Sequence, residues 1–312
     1  MRADCVTETV VSAKSASCAA GVYLELSEVR VPNLIESLQE ISGRYSAILC
    51  DVWGVIHNGV RGFDSALAAL RAAQERGLAI VLVTNAPRPA ESVAMQIRNL
   101  DIETVWDAIV TSGDVTRELI RQSPRRLYHI GPERDLALFD GIDVDLVEER
   151  EADVVVCTGL LDDENEKPED YAEQLLRLRS RDVPMICANP DIVAERGHQM
   201  VWCAGALARD YGQLGGRTLI AGKPHRPIYD AAMKAAEAAL GRPLEKSQVL
   251  AIGDGMLTDV KGAVDYGLDV LYVSAGIHAS QYGEPDSPDI ERLAAFLSSH
   301  GQAPVAVIPR LR

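Results

Sequence analysis

Residues 47–55, Ala-Ile-Leu-Cys-Asp-Val-Trp-Gly-Val, decide the fold. The first four are apolar with no polar residue at alternate positions, and such a run is typical of a strand buried on both faces of a parallel sheet. Asp51 follows the run directly. In an open α/β sheet ligands bind beyond the carboxyl ends of the strands, so this carboxylate is a candidate functional group.

Similar apolar runs alternate with amphipathic stretches along much of the chain. The predicted strands are 47–50, 78–83, 108–110, 218–221, 249–252 and 269–273, and the predicted helices are 65–76, 90–100, 115–122, 226–240 and 259–266. This alternation predicts an α/β fold with a doubly wound parallel sheet that helices cover on both faces.

A second α/β series lies between about residues 125 and 217. Its predicted strands are 127–130, 153–157 and 185–188, and its predicted helices are 169–180 and 205–214. It either extends the main sheet or forms an inserted domain. We favour an inserted α/β cap domain at 125–217, because the acidic, turn-rich stretch 162–170 and Gly215-Gly216 are typical boundary features. The core then comprises 31–124 and 218–312, the latter ending in a C-terminal tail, and residues 1–30 are an N-terminal extension without a clear period.

The charge and cysteine content of the chain limit the kinds of molecule that it is expected to bind. The 312 residues include 31 Lys and Arg against 46 Asp and Glu, a formal net charge of −15. Such a surface repels nucleic-acid phosphates and anionic membranes, so we expect a small-molecule ligand and neither nucleic-acid nor membrane binding. Six cysteines without a Cys-x-x-Cys pair fit neither a zinc site nor a dense disulfide framework, and we find no signal-like segment. We therefore expect a cytoplasmic protein.

Polar residues lie at four predicted strand ends or helix starts. These are Asp51 after the first strand, Thr84-Asn85 after the second, Gly222-Lys223-Pro224 before a later helix, and Asp254 after another strand with Asp259 five residues on. Each alone is more simply explained as a cap, a turn residue or a surface charge. Together they offer carboxylates, a hydroxyl, an amide and an amine at one edge of a sheet. Metal-assisted phosphoryl transfer through an aspartyl nucleophile needs these groups.

In this order and spacing the motifs resemble those of the haloacid dehalogenase (HAD) superfamily, in particular its NagD-like, class IIA sugar-phosphatase branch. The resemblance covers about residues 32–280 and rests on 51–55, 83–85, 222–224 and 253–259. It implies a hydrolase with a Rossmann-like core and an α/β cap inserted between the second and third motifs. NagD-like proteins often pair through their caps, so a homodimer is a family-based expectation.

The resemblance also implies a role for each matching residue. Asp51 would be the nucleophile, and Asp254 would hold Mg²⁺ together with the Asp51 carboxylate and the backbone carbonyl of Trp53. Lys223 would neutralise the charge of the nucleophile and the phosphoryl group. The remaining assignments are Thr84 and Asn85 as phosphate ligands, Asp259 as a group that orients Lys223 or the waters of the metal, and Asn189 and Asp191 as substrate-binding residues of the cap.

Trp53 departs from the family pattern, which has a second aspartate at this position. That aspartate protonates the leaving oxygen and then activates water, whereas an indole N–H does neither at neutral pH. One hypothesis is that His57 replaces it as the acid/base, although His57 is more simply explained as a loop residue. Another is that the substrate has a good leaving group and needs no protonation.

The sequence thus predicts a Mg²⁺-dependent phosphatase that acts on a small phosphorylated metabolite through an aspartyl-phosphate at Asp51. The alternative is a regulatory protein that binds a phosphorylated ligand and turns it over negligibly because of Trp53.

Overall fold

The chain forms two parallel sheets in a computed structural model that describes residues 31–196 and 199–312. The predicted N-terminal extension, residues 1–30, lies outside the described residues. The strands are β1 (Ala47–Cys50), β2 (Ala79–Thr84), β3 (Ala108–Thr111), β4 (Arg126–Ile130), β5 (Asp145–Leu146), β6 (Val154–Cys157), β7 (Met185–Cys187), β8 (Val193–Arg196), β9 (Gln199–Trp202), β10 (Thr218–Ile220), β11 (Val249–Gly253), β12 (Asp269–Val273), β13 (Gly283–Glu284), β14 (Ser287–Pro288) and β15 (Ala306–Ile308).

Helices connect most of these strands. They are α1 (Gln39–Ser42), α2 (Asp64–Glu75), α3 (Ala90–Arg98), α4 (Ser112–Arg121), α5 (Ala172–Ser180), α6 (Ala204–Gln213), α7 (Arg226–Leu240), α8 (Lys261–Tyr266) and α9 (Ile290–Ser299). A π-helical segment, Met256–Val260, precedes α8. None of the helices within 31–196 and 199–312 has the length and apolar character needed to cross a bilayer.

The main sheet has the strand order β15-β12-β11-β1-β2-β3, with every neighbouring pair parallel. Its strands are buried because two apolar clusters cover its opposite faces. One contains Ile48, Ile80 and Leu250, and the other contains Leu49, Val81 and Ala251. This alternation along each strand places helices on both sides, as the predicted doubly wound α/β fold requires.

The second sheet has the order β10-β7-β6-β4-β5 and is also parallel throughout. We call residues 126–220, which contain this sheet, the cap, and the rest of the described chain the core. An antiparallel hairpin, β8 with β9, projects from the cap outside both sheets. The sequence analysis did not identify this hairpin, because it lacks a long apolar run.

Two segments differ from their sequence-based assignment. Strand 218–221 was predicted for the main sheet, but β10 pairs with β7 at the edge of the second sheet. The segment that returns from the cap to the core runs parallel to β7. The backbone N–H and C=O groups of β10 therefore form their hydrogen bonds with β7. The C-terminal tail instead contains α9 and β15, and β15 completes the main sheet beside β12.

Candidate active site

The strand order of the main sheet changes direction between β1 and β11, although the two strands are parallel. From β1 the order runs through β2 to β3 on one side, and from β11 through β12 to β15 on the other. Such a switch point opens a crevice at the carboxyl ends of the two central strands. Asp51 follows β1 and Asp254 follows β11, so both carboxylates lie at this crevice, each less than a tenth exposed.

Lys223 joins the site from the chain segment that returns from the cap. Its Nζ donates hydrogen bonds to Asp51 Oδ1 at 2.5 Å and Asp259 Oδ1 at 2.7 Å, and to the carbonyl oxygen of Val83 at 3.2 Å. Burial alone would lower the pKa of this amine, but Asp259 and Asp51 more than offset it and raise the pKa well above its usual value. Lys223 is therefore a permanently charged group held against the predicted nucleophile.

Asn85 fixes the backbone of Lys223. Its Oδ1 accepts a hydrogen bond from the Lys223 amide at 2.8 Å, and its Nδ2 donates to the Lys223 carbonyl oxygen at 3.2 Å and to Asp191 Oδ1 at 2.8 Å. Both ends of the amide are thus engaged, and the contacts give Asn85 a positioning role. Its prediction as a phosphate ligand remains a prediction. Thr84 is buried at the end of β2 and borders the cleft described below.

Two glycines make room for Asp254. A Cβ at Gly54, whose φ is +81°, would lie 2.3 Å from Asp254 Oδ2, and a Cβ at Gly276 would lie 2.0 Å from the same atom. The backbone amide of Ile277 donates a hydrogen bond to this oxygen at 2.9 Å. A larger residue at either glycine would displace the carboxylate, so its position depends on two loops that are far apart in sequence.

The three site carboxylates crowd together. Carboxylate oxygens of Asp51, Asp254 and Asp259 lie within 4.8 Å of one another, and all three residues are buried. Burial, followed by the charge of Asp259, raises the pKa of Asp254 to about 7 and that of Asp51 well above its usual value. Among the residues that the structure describes, Lys223 is the cation hydrogen-bonded to this cluster.

Three buried carboxylates and one ammonium leave excess negative charge, which is costly unless a cation compensates it. Oxygen ligands of this kind suit Mg²⁺, a hard cation that one or two carboxylates and several waters commonly hold. The residues present therefore fit the predicted metal. Asp259 has a second function, because its Oδ2 accepts a hydrogen bond from the Gly255 amide at 3.0 Å while its Oδ1 holds Lys223.

A cleft of about 300 Å³ separates core and cap beside this cluster. Its core wall includes Trp53, Thr84 and Arg88. Its cap wall includes the predicted substrate-binding residues Asn189 and Asp191. Asp191 of this lining accepts a hydrogen bond from Asn85, whose amide group holds the backbone of Lys223, and these contacts connect the cleft to the cluster of Asp51 and Lys223.

Trp53 lines the cleft next to His57, and the two rings meet edge to face with centroids 4.9 Å apart. His57 is 1% exposed, its Nδ1 accepts a hydrogen bond from the Gly59 amide at 2.9 Å, and burial lowers its pKa to about 4. At pH 7 it is a neutral residue that holds the loop 52–59 together. These contacts indicate a structural role, and its function as replacement acid/base stays a hypothesis.

Asp191 reaches from the cap into the core. Its amide donates to Asn189 Oδ1 at 3.1 Å, which shapes the turn after β7, and its carboxylate accepts the hydrogen bond from Asn85. Burial raises the pKa of Asp191, while Lys223 and Asn85 partly offset the effect. Asp191, one of the two predicted cap residues, is therefore in direct contact with a core motif.

Sequence reasoning missed two residues of the cleft, Arg134 and Arg196. Arg88 lies near the Thr84-Asn85 motif, and the sequence alone does not choose between a phosphate contact and a solvated surface position for it. No local pattern marks any of them, because Arg134 and Arg196 lie in cap segments whose neighbours in space come from elsewhere in the chain. Recognition of the hairpin of β8 and β9 would have identified Arg196 as a candidate, because this residue ends β8.

Comparison with known proteins agrees with this geometry. The sequence model described as haloacid dehalogenase-like hydrolase matches residues 48–145, and a second HAD-hydrolase-like model matches residues 220–295. A solved haloacid dehalogenase-like hydrolase from Brucella suis 1330 is 57% identical, with a TM-score of 0.82, and the match covers 89% of this chain and 100% of that one.

Two curated relatives are more distant. The 5'-nucleotidase YutF of Bacillus subtilis is 26% identical over 78% of this chain and 92% of its own length. An acid sugar phosphatase of Staphylococcus aureus is 27% identical over 75% of this chain and 88% of its own. Together with the carboxylate and lysine constellation at the switch point of the main sheet, these matches show that the chain belongs to the haloacid dehalogenase-like hydrolase family.

Proposed function

We propose that the protein is a Mg²⁺-dependent phosphatase that hydrolyses a small phosphorylated metabolite through an aspartyl-phosphate at Asp51. The observation that carries this proposal is the 2.5 Å contact between Asp51 and Lys223 within a buried group of three carboxylates. An inert core would not retain four buried charges at one point, because each is costly to desolvate.

The chemistry follows from the positions of the side chains. The Asp51 carboxylate attacks phosphorus, so that a new bond forms between Asp51 and phosphorus while the bond from phosphorus to the leaving oxygen breaks. Water then hydrolyses the acyl-phosphate, which releases inorganic phosphate and restores the Asp51 carboxylate. Lys223 stabilises the negative charge that gathers at the phosphoryl oxygens, and Asp259 keeps its ammonium in place.

Asp51, Asp254 and the backbone carbonyl of Trp53 would hold Mg²⁺. When bound, Mg²⁺ supplies positive charge that lets a dianionic phosphate approach two aspartates. The backbone carbonyl is available from any residue type, so Trp53 does not by itself impair this site. Mg²⁺ binding and proton transfer to the leaving group therefore depend on different atoms at position 53, and the Trp53 side chain affects only proton transfer.

The ease with which the leaving group departs distinguishes the candidate substrate classes. Without a carboxylate at position 53, protonation of a poor leaving group loses a contribution of roughly 10²–10⁴-fold in rate. We therefore propose substrates whose leaving oxygen departs readily, such as acyl or aryl phosphates. Nucleotide and sugar phosphates are further candidates, because the relatives include a nucleotidase and a sugar phosphatase.

A binding protein with negligible turnover is the second candidate, and the observation that favours it is Trp53 itself. Steady-state release of phosphate from p-nitrophenyl phosphate, acetyl phosphate and a panel of sugar phosphates, with Mg²⁺ or EDTA, separates the two. The phosphatase proposal expects Mg²⁺-dependent turnover that Asp51→Asn abolishes. Absence of turnover, with phosphate ligands still raising the melting temperature, would favour the binding protein instead.

The cysteines bear on the cell compartment. Cys50, Cys157, Cys187 and Cys203 are buried free thiols. Because structural disulfides are common outside the cytoplasm and rare inside it, these thiols support our proposal of a cytoplasmic location. Fractionation of cells that produce the native full-length chain is the test.

A further inference from the structure

The outer part of the cleft contains a pair of guanidinium groups held by one carboxylate. Arg134, after β4, and Arg196, at the end of β8, both form ion pairs with Asp163 Oδ2, with a distance of 2.8 Å for Arg196. Burial opposes ionisation of Asp163, but the hydrogen bond from Arg196 and the charge of Arg134 outweigh it and lower the pKa. The pair is therefore a fixed cationic feature of the cap wall.

A third guanidinium faces the pair from the core. Arg88 lies on the loop after β2, with its Nε 3.6 Å from Asp135 Oδ1 of the cap. This distance is too long for a hydrogen bond, and both atoms are buried without a hydrogen-bond partner among the described residues. Arg88 thus has an unsatisfied donor inside the cleft, where a ligand atom would be well placed to accept from it.

The charges of this outer region do not balance. We define the arginine cluster as Arg88, Arg134 and Arg196, and the two carboxylates that line the cleft beside it are Asp135 and Asp163. Three cations against two anions leave one positive charge. Glu164 lies 3.5 Å from Arg196 but is two-thirds exposed and outside the cleft lining, so solvent screens its contribution. Asp191 also lines the cleft, but its carboxylate accepts a hydrogen bond from Asn85 and its charge interacts with Lys223 and Asp259, so we count it with the carboxylate and lysine site.

We propose that the arginine cluster binds a second anionic group of the substrate, a carboxylate or a further phosphate, on the leaving-group side. This inference rests on the proposed phosphatase function and names its substrate class as phosphate monoesters that carry another anion. A guanidinium presents several N–H donors in a plane and pairs with carboxylate or phosphate through two parallel hydrogen bonds. Arg134 donates to Asp163 through one terminal nitrogen and Arg196 through both, which leaves further N–H groups on each. Arg88 donates to Gln96 Oε1 at 2.5 Å through Nη2 and keeps an unsatisfied donor at Nε.

A purely structural role explains less of this arrangement. Arginines that only joined cap to core would be expected to have their donors satisfied by protein acceptors. The cluster instead borders the same cavity as Thr84 and Asp191, and Asp191 is linked to Lys223 through Asn85. A ligand with its phosphoryl group at Asp51 and its leaving group in this cavity would bring the leaving group to the arginines.

Chemically matched substrates provide the test in the wild-type holoenzyme. We would measure kcat/KM with Mg²⁺ for phenyl phosphates whose ring bears a carboxyalkyl chain of one to five carbons and for the corresponding neutral carboxamides, which have nearly the same shape. A parallel series in which the chain ends in a second phosphate or in a hydroxyl group distinguishes a second phosphate from a carboxylate. Hydrogen bonds to a charged group lead us to expect a preference for the anion of roughly ten- to hundredfold at the best chain length.

Variants locate the effect. Arg88→Gln, Arg134→Gln and Arg196→Gln should each reduce the ratio of kcat/KM for carboxylate over carboxamide by about two- to fivefold, and the triple variant should bring it near one. The matched control is Arg126→Gln, which removes an exposed cap arginine paired with Asp153 outside the cleft. It should keep the wild-type ratio. Circular dichroism and melting temperature establish that each variant is folded.

Three outcomes test the anion-binding inference separately from the phosphatase proposal. A ratio near one at every chain length in wild type, with p-nitrophenyl phosphate still hydrolysed, would overturn the inference and leave the phosphatase proposal intact. A high ratio that survives the triple variant would overturn it as well. If no ester is hydrolysed, the phosphatase proposal fails. Calorimetric binding of the same compounds then decides the inference, which requires the carboxylate to bind more tightly than the carboxamide.

Discussion

Asn85 Nδ2 donates a 2.8 Å hydrogen bond to Asp191 Oδ1, and this contact joins the core to the cap. The same amide holds the backbone of Lys223, whose ammonium lies against Asp51. The position of the cap over the cleft is therefore linked through one side chain to the position of Lys223, which we propose as a catalytic residue.

Removal of this link should lower catalytic efficiency more than stability. In Asp191→Ala the Asn85 amide loses one acceptor, a change of about 1–2 kcal/mol, so we expect kcat/KM to fall roughly five- to thirtyfold. Steady-state kinetics with the best substrate measures the effect, and Asp153→Ala, on the exposed face of the cap, is the control. Identical kinetics for wild type and Asp191→Ala on all substrates would contradict both this link to Lys223 and the predicted substrate-binding role of Asp191.

Lys223→Met should be among the most damaging substitutions in the core. It leaves Asp51 and Asp259 buried without their cation, which typically costs about 3–5 kcal/mol in unfolding free energy. Because burial raises the pKa of Asp51, we expect the penalty in metal-free buffer to be smaller at pH 6 than at pH 8. Urea denaturation at the two pH values measures it. Lys261→Met, which breaks an exposed pair with Asp265, should cost less than about 1 kcal/mol.

Gly276→Ala should weaken metal binding. The added Cβ would lie 2.0 Å from Asp254 Oδ2, so the carboxylate or the loop must move. Wild type should gain melting temperature as Mg²⁺ is added, whereas Gly276→Ala should gain much less at the same concentration. Gly43→Ala is the matched control, since nothing lies within 4 Å of its added Cβ. An equal shift in wild type and Gly276→Ala would exclude Asp254 as a ligand.

His57 should make the protein less stable in mild acid. Its pKa is near 6.5 in an unfolded chain and about 4 in the folded one, so the unfolded state binds more protons between these values. The stability that a neutral His57 confers is complete above pH 6.5 and is lost as the pH falls toward 4.

The comparison variant is His57→Asn. Between pH 7 and pH 5, wild type should lose about 2 kcal/mol more unfolding free energy than this variant, as followed by urea denaturation. His300→Asn, at the end of α9, is the control. If His57→Asn also abolishes turnover while it retains phosphate binding, the acid/base hypothesis gains support, and unchanged turnover refutes that hypothesis.

Trp53→Asp should restore the family pattern and with it proton transfer to the leaving oxygen. We expect kcat to rise by roughly tenfold or more on alkyl phosphates, whose leaving groups need protonation, and much less on p-nitrophenyl phosphate. Trp53→Phe, which changes the ring and adds no carboxylate, should not produce this selective gain. A gain of the same size on both substrate types would indicate a packing effect.

Much of the core was predictable because its signals are local. Apolar runs identified β1, β2, β11 and β12 to within a residue or two, since a strand buried on both faces requires them. The motif residues Asp51, Lys223, Asp254 and Asp259 were assigned from their places at strand ends, and the structure brings all four together.

The cap was less predictable because its determinants are pairings between distant segments. The apolar side chains of β10 fit a strand in either sheet, and only its pairing with β7 decided the assignment. The hairpin of β8 and β9 has mixed polarity, so neither strand stood out until its partner was known.

The sequence by itself determined the α/β class, the order of the motifs and the residue types of the carboxylate and lysine site, because each depends on residue type and short spacing. Only the tertiary structure decided what surrounds that site. It engaged the Asn85 amide with Lys223 and Asp191, buried His57 as a neutral residue, and brought Arg88 opposite Arg134 and Arg196. Ligand selection depends on such groups, which come from separate loops and meet only when the two sheets are folded.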